Sequence, residues 1–515
     1  MSCSKIFSDN FPELTYEIIK LLRNDFSTLH SCILVNRFWC RLATPILWEN
    51  PFSFRDNYKY FEIYSQYLND DLKTGLKKDK IIKNSLPSNT LLFNYYGFLK
   101  HMDIYEIVMS VIRWIRNTKG LSLTVSDYKR ISDICISLFK IFIENEIHLH
   151  TLELEYNSQY SKIYEIIFEL ILQNQNFIHN IKNLKLCIKY NDRNPNTLIK
   201  DSTLQIIKSH QNLKKILFGD NNLNLYKSLF LSEDFNCSNT LNTIIFYRID
   251  LRSLSFKIFE RLNVLESVHI VNCSFFDDNF IQQIINLTKP FKLKTLFMTM
   301  AILQIKPIHL LLQKSGCYIE NLAYGGESFR YDLSLKQQLS EIILKYCKNI
   351  KYLKFTELEN QDPYQVFKLI ENIKQYLNYL SINILEVRQS SGIISSSSMI
   401  LQNLGHVLPS KLEYLNLILD IKESDFKVFL ENSRDIFINK LLIMQMGRYD
   451  ILHYTKEFIM KEKRVKYLAI KGIYKKDLYS FKDEVNEFKL HNIRVQDICK
   501  LQSSEYPYNL MKIVD

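Results

Sequence analysis

One short pattern constrains this chain more than any other. Between Leu149 and Ile470 the unit apolar-x-x-apolar-x-apolar recurs twelve times, opening at Leu149, Ile181, Leu213, Leu241, Leu265, Leu293, Ile319, Ile350, Leu377, Leu412, Ile438 and Val465. The mean interval is about 29 residues, a period at which repeat arrays form. Alternation within the triplet suits a strand with one buried face. The spacers carry helical periodicity, as in Tyr164 to Leu172, Leu254 to Leu262, Phe280 to Leu287, Leu335 to Tyr346, Val366 to Ile373 and Phe426 to Leu430. Twelve occurrences with helix-compatible spacers set the pattern apart from chance in an Ile- and Leu-rich chain. A single strand–helix unit cannot bury its own apolar edge, and stacking on the next unit buries it. The expectation is a curved α/β solenoid, with strands on the concave wall and helices on the convex one. The longest spacer contains Ser390, Ser391, Gly392 and Ser395 to Ser398, which read as a loop on a rim.

A different pattern fills residues 11–48. Pro12 stands one residue inside a helix start, where its missing N–H costs little. Leu14, Ile18 and Leu21 follow at helical spacing, and Asn24-Asp25 supplies a break and a cap. Leu29, Cys32, Ile33 and Val35 make a second helix, Asn36 a second break, and Phe38, Trp39 and Leu42 a third helix that Pro45 ends. A unit of about 40 residues is near the lower limit for independent folding. Its surplus of large apolar groups marks either a partner surface or packing onto the rest of the chain.

These residues resemble an F-box. Phe11-Pro12-Glu13-Leu14 stands where that family has Leu-Pro-x-Glu, with Phe11 as a conservative departure. Ile18, Leu22, Leu29, Cys32, Val35-Asn36, Phe38-Trp39, Pro45 and Leu47-Trp48 fall in register behind it. The resemblance covers about a tenth of the chain. It implies docking onto a Skp-type adaptor, and through it a cullin-RING ubiquitin ligase, by Phe11, Pro12, Leu14, Ile18, Leu29, Val35, Phe38 and Trp39. The array is similar to the leucine-rich repeats found behind F-boxes, in a degenerate form. That family places Asn or Cys eight residues after the first apolar position, and only Asn157, Asn221 and Cys273 do so here. Together the resemblances imply an α/β chain: an F-box over residues 8–50, a helical linker and cap over 51–148, a right-handed α/β horseshoe of leucine-rich repeats over 149–490, and a cap or tail over 491–515. In the linker, Tyr58 to Leu68, Leu91 to Ile115 and Ile131 to Ile143 read as helical, and Lys77 to Lys80 as an exposed turn.

Composition closes off several function classes. The chain has 515 residues, 66 basic and 55 acidic, for a net charge of +11. That mild excess is mostly a solvated surface. Its one concentration, Lys456 to Lys476 with Lys461, Lys463, Arg464, Lys466, Lys471, Lys475 and Lys476, could attract an acidic partner or nucleic acid. The ten cysteines form no C-x-x-C pair and no metal-ligand spacing, which fits free thiols in a reducing compartment. The N-terminus lacks the apolar core of a signal peptide, and no run approaches the roughly 18 apolar residues of a membrane span. A cytoplasmic or nuclear protein is expected. No catalytic motif, phosphate-cradling loop, metal site or cofactor site is found, so the chain reads as a binding protein and not an enzyme.

The binding face can be placed from strand alternation. Residues beside the second apolar position of each triplet point away from the core. Tyr352, Tyr379, Tyr414 and Tyr467 occupy one such position in four repeats, with Lys440 intervening, and Tyr247 and Phe297 lie on the same wall. Tyrosine is enriched at binding hot spots, so these six are the expected substrate contacts. The alternative is that the rings stack on one another and on strand neighbours.

Overall fold

The twelve triplets fall on twelve consecutive strands. The computed structural model describes residues 12–501, except 24, 54–59, 80, 83–90, 120–122, 158–159, 180, 190–196, 210–212, 220–225, 227–236, 275, 299–303, 326–332, 359–362, 385–394, 463 and 474–476. The chain divides into two units, Met1–Asn242 with Leu262–Val264, and Thr243–Arg261 with Leu265–Asp515.

The first unit opens with three helices, α1 (Pro12–Lys20), α2 (Phe26–Ile33) and α3 (Arg37–Leu47). The two polar breaks cap them: the side chain of Asp25 accepts from Thr28 N at 3.2 Å, and that of Asn36 from Trp39 N at 2.9 Å. α3 does not stop at Pro45 but continues to Leu47, with Trp48 N bonded to Thr44 O at 3.1 Å. The expected exposed turn at Lys77-Lys78 is the last turn of the helix Asp70–Lys78. Helices Ile104–Lys119 and Val125–Glu144 fill much of the linker, the second begun by a Thr124/Asp127 capping box. Four parallel strands accompany them: β1 (His101–Asp103), β2 (Thr151–Asn157), β3 (Asn183–Lys189) and β4 (Lys215–Phe218). The register aligns Leu152, Leu184 and Ile216, the central residues of three successive triplets.

The second unit holds β5 (Thr243–Tyr247), β6 (Ser267–Val271), β7 (Leu293–Met298), β8 (Asn321–Gly325), β9 (Tyr352–Leu358), β10 (Tyr379–Ile384), β11 (Lys411–Leu419), β12 (Phe437–Gln445), β13 (Val465–Gly472) and β14 (Arg494–Val495). All neighbours pair in parallel, each strand returning through a helical crossover. Leu322, Leu353, Leu380, Leu415, Leu441 and Leu468 form one continuous column. Inward side chains reach the helical layer. Phe246 on β5 lies 6.0 Å from Phe256, which lies 5.0 Å from Phe280 in the helix Asp278–Ile285.

The strand array is longer than the triplets indicate. β1 and β14 add a strand before Leu149 and one after residue 490, and β1 interrupts the helix expected over Leu91 to Ile115. The segment expected to be helical over Leu254 to Leu262 is a 3-10 helix, Phe256–Arg261. Its spacer is the shortest in the array, and tighter winding fits the few residues available. Ser395 to Ser398 are not a rim loop: Ser395 caps the helix Ser396–Val407 by accepting from Ser398 N at 3.2 Å. Ser390, Ser391 and Gly392 lie outside the described residues.

Two buried side chains bond the turns that follow the strands. Cys273 Sγ donates to Phe246 O at 3.5 Å, the backbone role its spacing implies. Gln445, unmarked by the repeat pattern, does more: it donates to Ile421 O at 2.6 Å and accepts from Ile421 N at 2.8 Å. Asn221 lies outside the described residues, as does the Asn157 side chain.

Candidate functional site: a helical apolar surface and an aromatic strand face

Two surfaces gather the residues singled out from sequence. The first is on α1–α3. Its interior holds Ile19, Leu29, Cys32, Ala43, Ile46 and Leu47, all buried. Leu29 is therefore core, fully enclosed, and is not a surface contact. Leu14 and Val35 are exposed, while Pro12, Ile18, Phe38 and Trp39 are at most partly buried. Phe11 lies outside the described residues. Two residues not singled out as contacts are more exposed than any of these: Leu21 at 85% and Leu34 at 74%. Both sit where a helix ends, next to the two breaks.

The helical unit is anchored to the next segment of the chain. Trp48 is buried against the rings of Tyr60, Tyr64 and Tyr95, with centroids 4.8, 5.5 and 4.3 Å away. Glu49 O accepts from Lys100 N and His101 N at 2.9 and 3.0 Å, so the chain leaving α3 joins the edge at β1. Arg23 pairs with the Glu49 carboxylate at 2.9 Å. Burial pushes that carboxyl up, against the pull of Arg23, Lys100 and Lys20.

The second surface is the outward face of β5–β14. One column across it reads Asn321, Tyr352, Tyr379, Tyr414, Lys440, Tyr467, Arg494. The next reads Tyr247, Val271, Phe297, Ala323, Lys354, Ser381, Asn416, Leu442, Ala469. A register slip between Val268 and His269 against β7 brings Tyr247 and Phe297 into that second column. The rings stack in a file: Phe297 to Tyr352 at 5.6 Å, Tyr352 to Tyr379 at 6.2 Å, and Tyr379 to Tyr414 at 5.9 Å, with interplanar angles of 29°, 31° and 32°. β8 contributes only Asn321, Ala323 and Gly325 to this face, which leaves room for Phe297 and Tyr352 to meet over it.

Burial changes the expected contact set. Tyr247, Phe297, Tyr352 and Tyr414 are all buried, at 4% exposure or less, and offer little free area. Tyr379 is 39% exposed and Tyr467 half-buried, so these two present the accessible ring surface. Burial, and after it the Glu413 carboxylate, pushes the Tyr379 hydroxyl up and keeps it a neutral donor. Tyr414 has a further cover. It shares a buried cluster with Leu442, Ala469, Ile498 and Leu501, bordered by Met444 and Tyr467. Ile498 and Leu501 belong to a short helix, Ile498–Leu501, laid on the outward face.

The basic run near Lys456 to Lys476 is not one patch. Arg464 is largely enclosed and donates to Ser433 O at 2.7 Å and Leu430 O at 3.1 Å, closing the end of the helix Glu423–Asn432, and its Nε lies 2.9 Å from Glu462. Lys456 pairs with Glu487. Lys463, Lys475 and Lys476 lie outside the described residues. Among the described residues no three His, Cys, Asp or Glu side chains cluster as metal ligands, and no helix is long and apolar enough to cross a membrane.

The fold defines a class: a repeat array of parallel strands joined by helical crossovers. No protein-family model matches the chain, and no curated protein does. Among solved structures it is similar to the leucine-rich repeat-containing protein LegL7 from Legionella pneumophila, at 12% identity over 69% of this chain and 93% of that one, with a TM-score of 0.32.

Proposed function

We propose that this chain is the substrate-recognition subunit of a Skp–cullin–F-box type ubiquitin ligase. It docks an adaptor through α1–α3 and presents a captured protein on the outward face of β5–β14. The observation that carries the reading is the apolar surface left over on the helical unit. Leu14, Leu21, Leu34 and Val35 are exposed while a separate set of side chains fills the interior. Exposed aliphatic groups concentrated on so small a unit are a partner surface in waiting. The chain itself performs no chemistry in this scheme. Tethering a substrate beside the transfer machinery raises its effective concentration, and that is the whole contribution. The working location is the cytoplasm, the nucleus or both.

The test is affinity purification from cells with Leu14→Asp/Val35→Asp beside the unaltered chain. Both positions are exposed, so folding is retained. Adaptor and cullin are expected to vanish from the variant while proteins held by the strand face persist. Equal recovery of adaptor from both would overturn the reading. Recovery of adaptor without cullin from the unaltered chain would mark a non-degradative scaffold instead.

A further inference from the structure

The helix Ile498–Leu501 occupies the face on which a partner would be captured. Ile498 and Leu501 stand three residues apart, hence on one side of a helical turn. Both are buried, against Tyr414, Leu442 and Ala469. The register explains why that spot accepts them. Leu442 and Ala469 are cross-strand neighbours in one outward column, and Tyr414 and Tyr467 flank them in the other. Ala469 is the smallest side chain there, so the tyrosines rise around a depression two aliphatic groups wide. The rim is cationic. Lys440 and Arg494 share the tyrosine column, and Lys466 and Arg494 approach the Tyr467 ring at 5.3 and 5.8 Å. The resident segment carries an acidic residue, Asp497, immediately before Ile498.

Backbone bonds add to this packing. Gln496 N donates to Leu468 O at 2.9 Å, and Ile498 N to an Asp477 carboxylate oxygen at a long 3.4 Å. A helix of four residues is too short to hold its shape alone and depends on this packing.

We propose that the outward face of β11–β13 is a socket for a protein segment bearing an acidic residue followed by two aliphatic side chains one helical turn apart, and that Ile498–Leu501 is a cis occupant such a partner must displace. The proposal rests on the reading of this face as the capture surface and names what it captures. An intramolecular occupant competes at a high effective concentration, so the intact chain is held partly closed.

The probe is a labelled peptide spanning residues 494–504 with Cys499→Ser, added to three proteins: the intact chain, a chain ending at Asp497, and full-length Ile498→Asp/Leu501→Asp. Fluorescence anisotropy should show binding to the last two at least about ten-fold tighter than to the intact chain, the suppression expected from a tethered competitor. Adding Ala469→Arg, which fills the depression, should abolish that binding. Equal affinity for all three proteins would overturn the proposal. So would absence of binding to two variants that melt as the intact chain does, or loss of cooperative melting in both, which would make the segment integral structure. A dimer of the intact chain that Ile498→Asp/Leu501→Asp dissociates would place the segment in a second copy and overturn the cis assignment. Adaptor recovery through α1–α3 is read separately, so failure here leaves the ligase reading standing and the reverse.

Discussion

The outward faces of the two units differ in kind although their inward columns are alike. In the first unit the outward residues include Asp103, Glu153 and Lys185 in one column and Lys215 beside it. Glu153 and Lys185 are buried and paired at 3.0 Å. Burial, and after it the Lys185 charge, pulls the Lys215 pKa down. In the second unit the column matching Lys215 carries the file of tyrosines, and the column matching Glu153 and Lys185 runs from Phe297 through Ala323, Lys354, Ser381 and Asn416 to Leu442 and Ala469. The inward columns must stay apolar at a fixed spacing, because each repeat depends on its neighbour to bury them. The outward columns carry no such constraint, so the binding chemistry is free to change there while the fold persists.

The largest expected effect tests whether the first face is held by its charges. Glu153→Ala leaves a buried lysine without its carboxylate, which should cost about 3–5 kcal/mol in chemical denaturation. Replacing both, as Glu153→Leu/Lys185→Leu, removes the desolvation penalty with the pair and should restore most of that stability. A single variant as stable as the parent would show that solvent reaches Lys185 and that the two faces differ less than their burial implies.

How much of this was legible from the residues divides along the same line. Each of the twelve triplets sits on a strand, because an inward column must recur at the repeat spacing. The terminal strands escaped: His101-Met102-Asp103 and Arg494-Val495 are too short to carry the triplet. The tyrosine column was legible from spacing, since residues at one repeat position stand side by side. That four of the six aromatic residues would be buried was not: Phe297, Tyr352 and Tyr414 are covered by ring-to-ring stacking and by a helix at Ile498 that no local pattern ties to Tyr414. On α1–α3 the failure has the same origin. Leu29 and Leu14 are both leucines on helical faces, and only tertiary packing makes one core and leaves the other exposed.

A smaller effect sharpens the aromatic side of the comparison. Tyr352 is buried between Phe297 and Tyr379, so Tyr352→Ala should cost about 3 kcal/mol through lost burial and ring contact. Tyr379→Ala, at a half-open position, should cost about 1 kcal/mol or less yet weaken partner capture more than Tyr352→Phe does. Thermal melts and pull-downs on the same three proteins separate the roles. If Tyr379→Ala left capture intact, the file would be reduced to a structural stack.

The smallest effect concerns the rims at which the strands begin. In the first unit Lys100, His150, Lys182 and Lys214 succeed one another through backbone bonds, each one strand further along. In the second, Lys294, Glu320 and Lys351 alternate in sign, and Glu320 meets the two lysines at 3.5 and 2.8 Å. Burial, then Lys182, Lys100 and Arg23, lower the His150 pKa. Burial pushes Glu320 up, but Lys351 and Lys294 outweigh it and hold the carboxyl below its ordinary range. The signs set two pH windows. A histidine with a lowered folded pKa keeps its full stability above its ordinary value, about 6.5, and loses it as pH falls through the lowered one. A depressed carboxyl keeps its stability above about 4.5 and loses it as pH falls further. Lys182→Glu should therefore raise the His150 pKa, tracked through its imidazole proton shifts, and flatten the loss of stability just below pH about 6.5. Lys351→Glu should raise the Glu320 pKa, remove the stability held above pH about 4.5 and flatten the loss in the more acidic window. An unchanged His150 titration in Lys182→Glu would mean that the basic rim is too well solvated for its charges to sense one another, and the contrast between the two rims would then lie in composition alone.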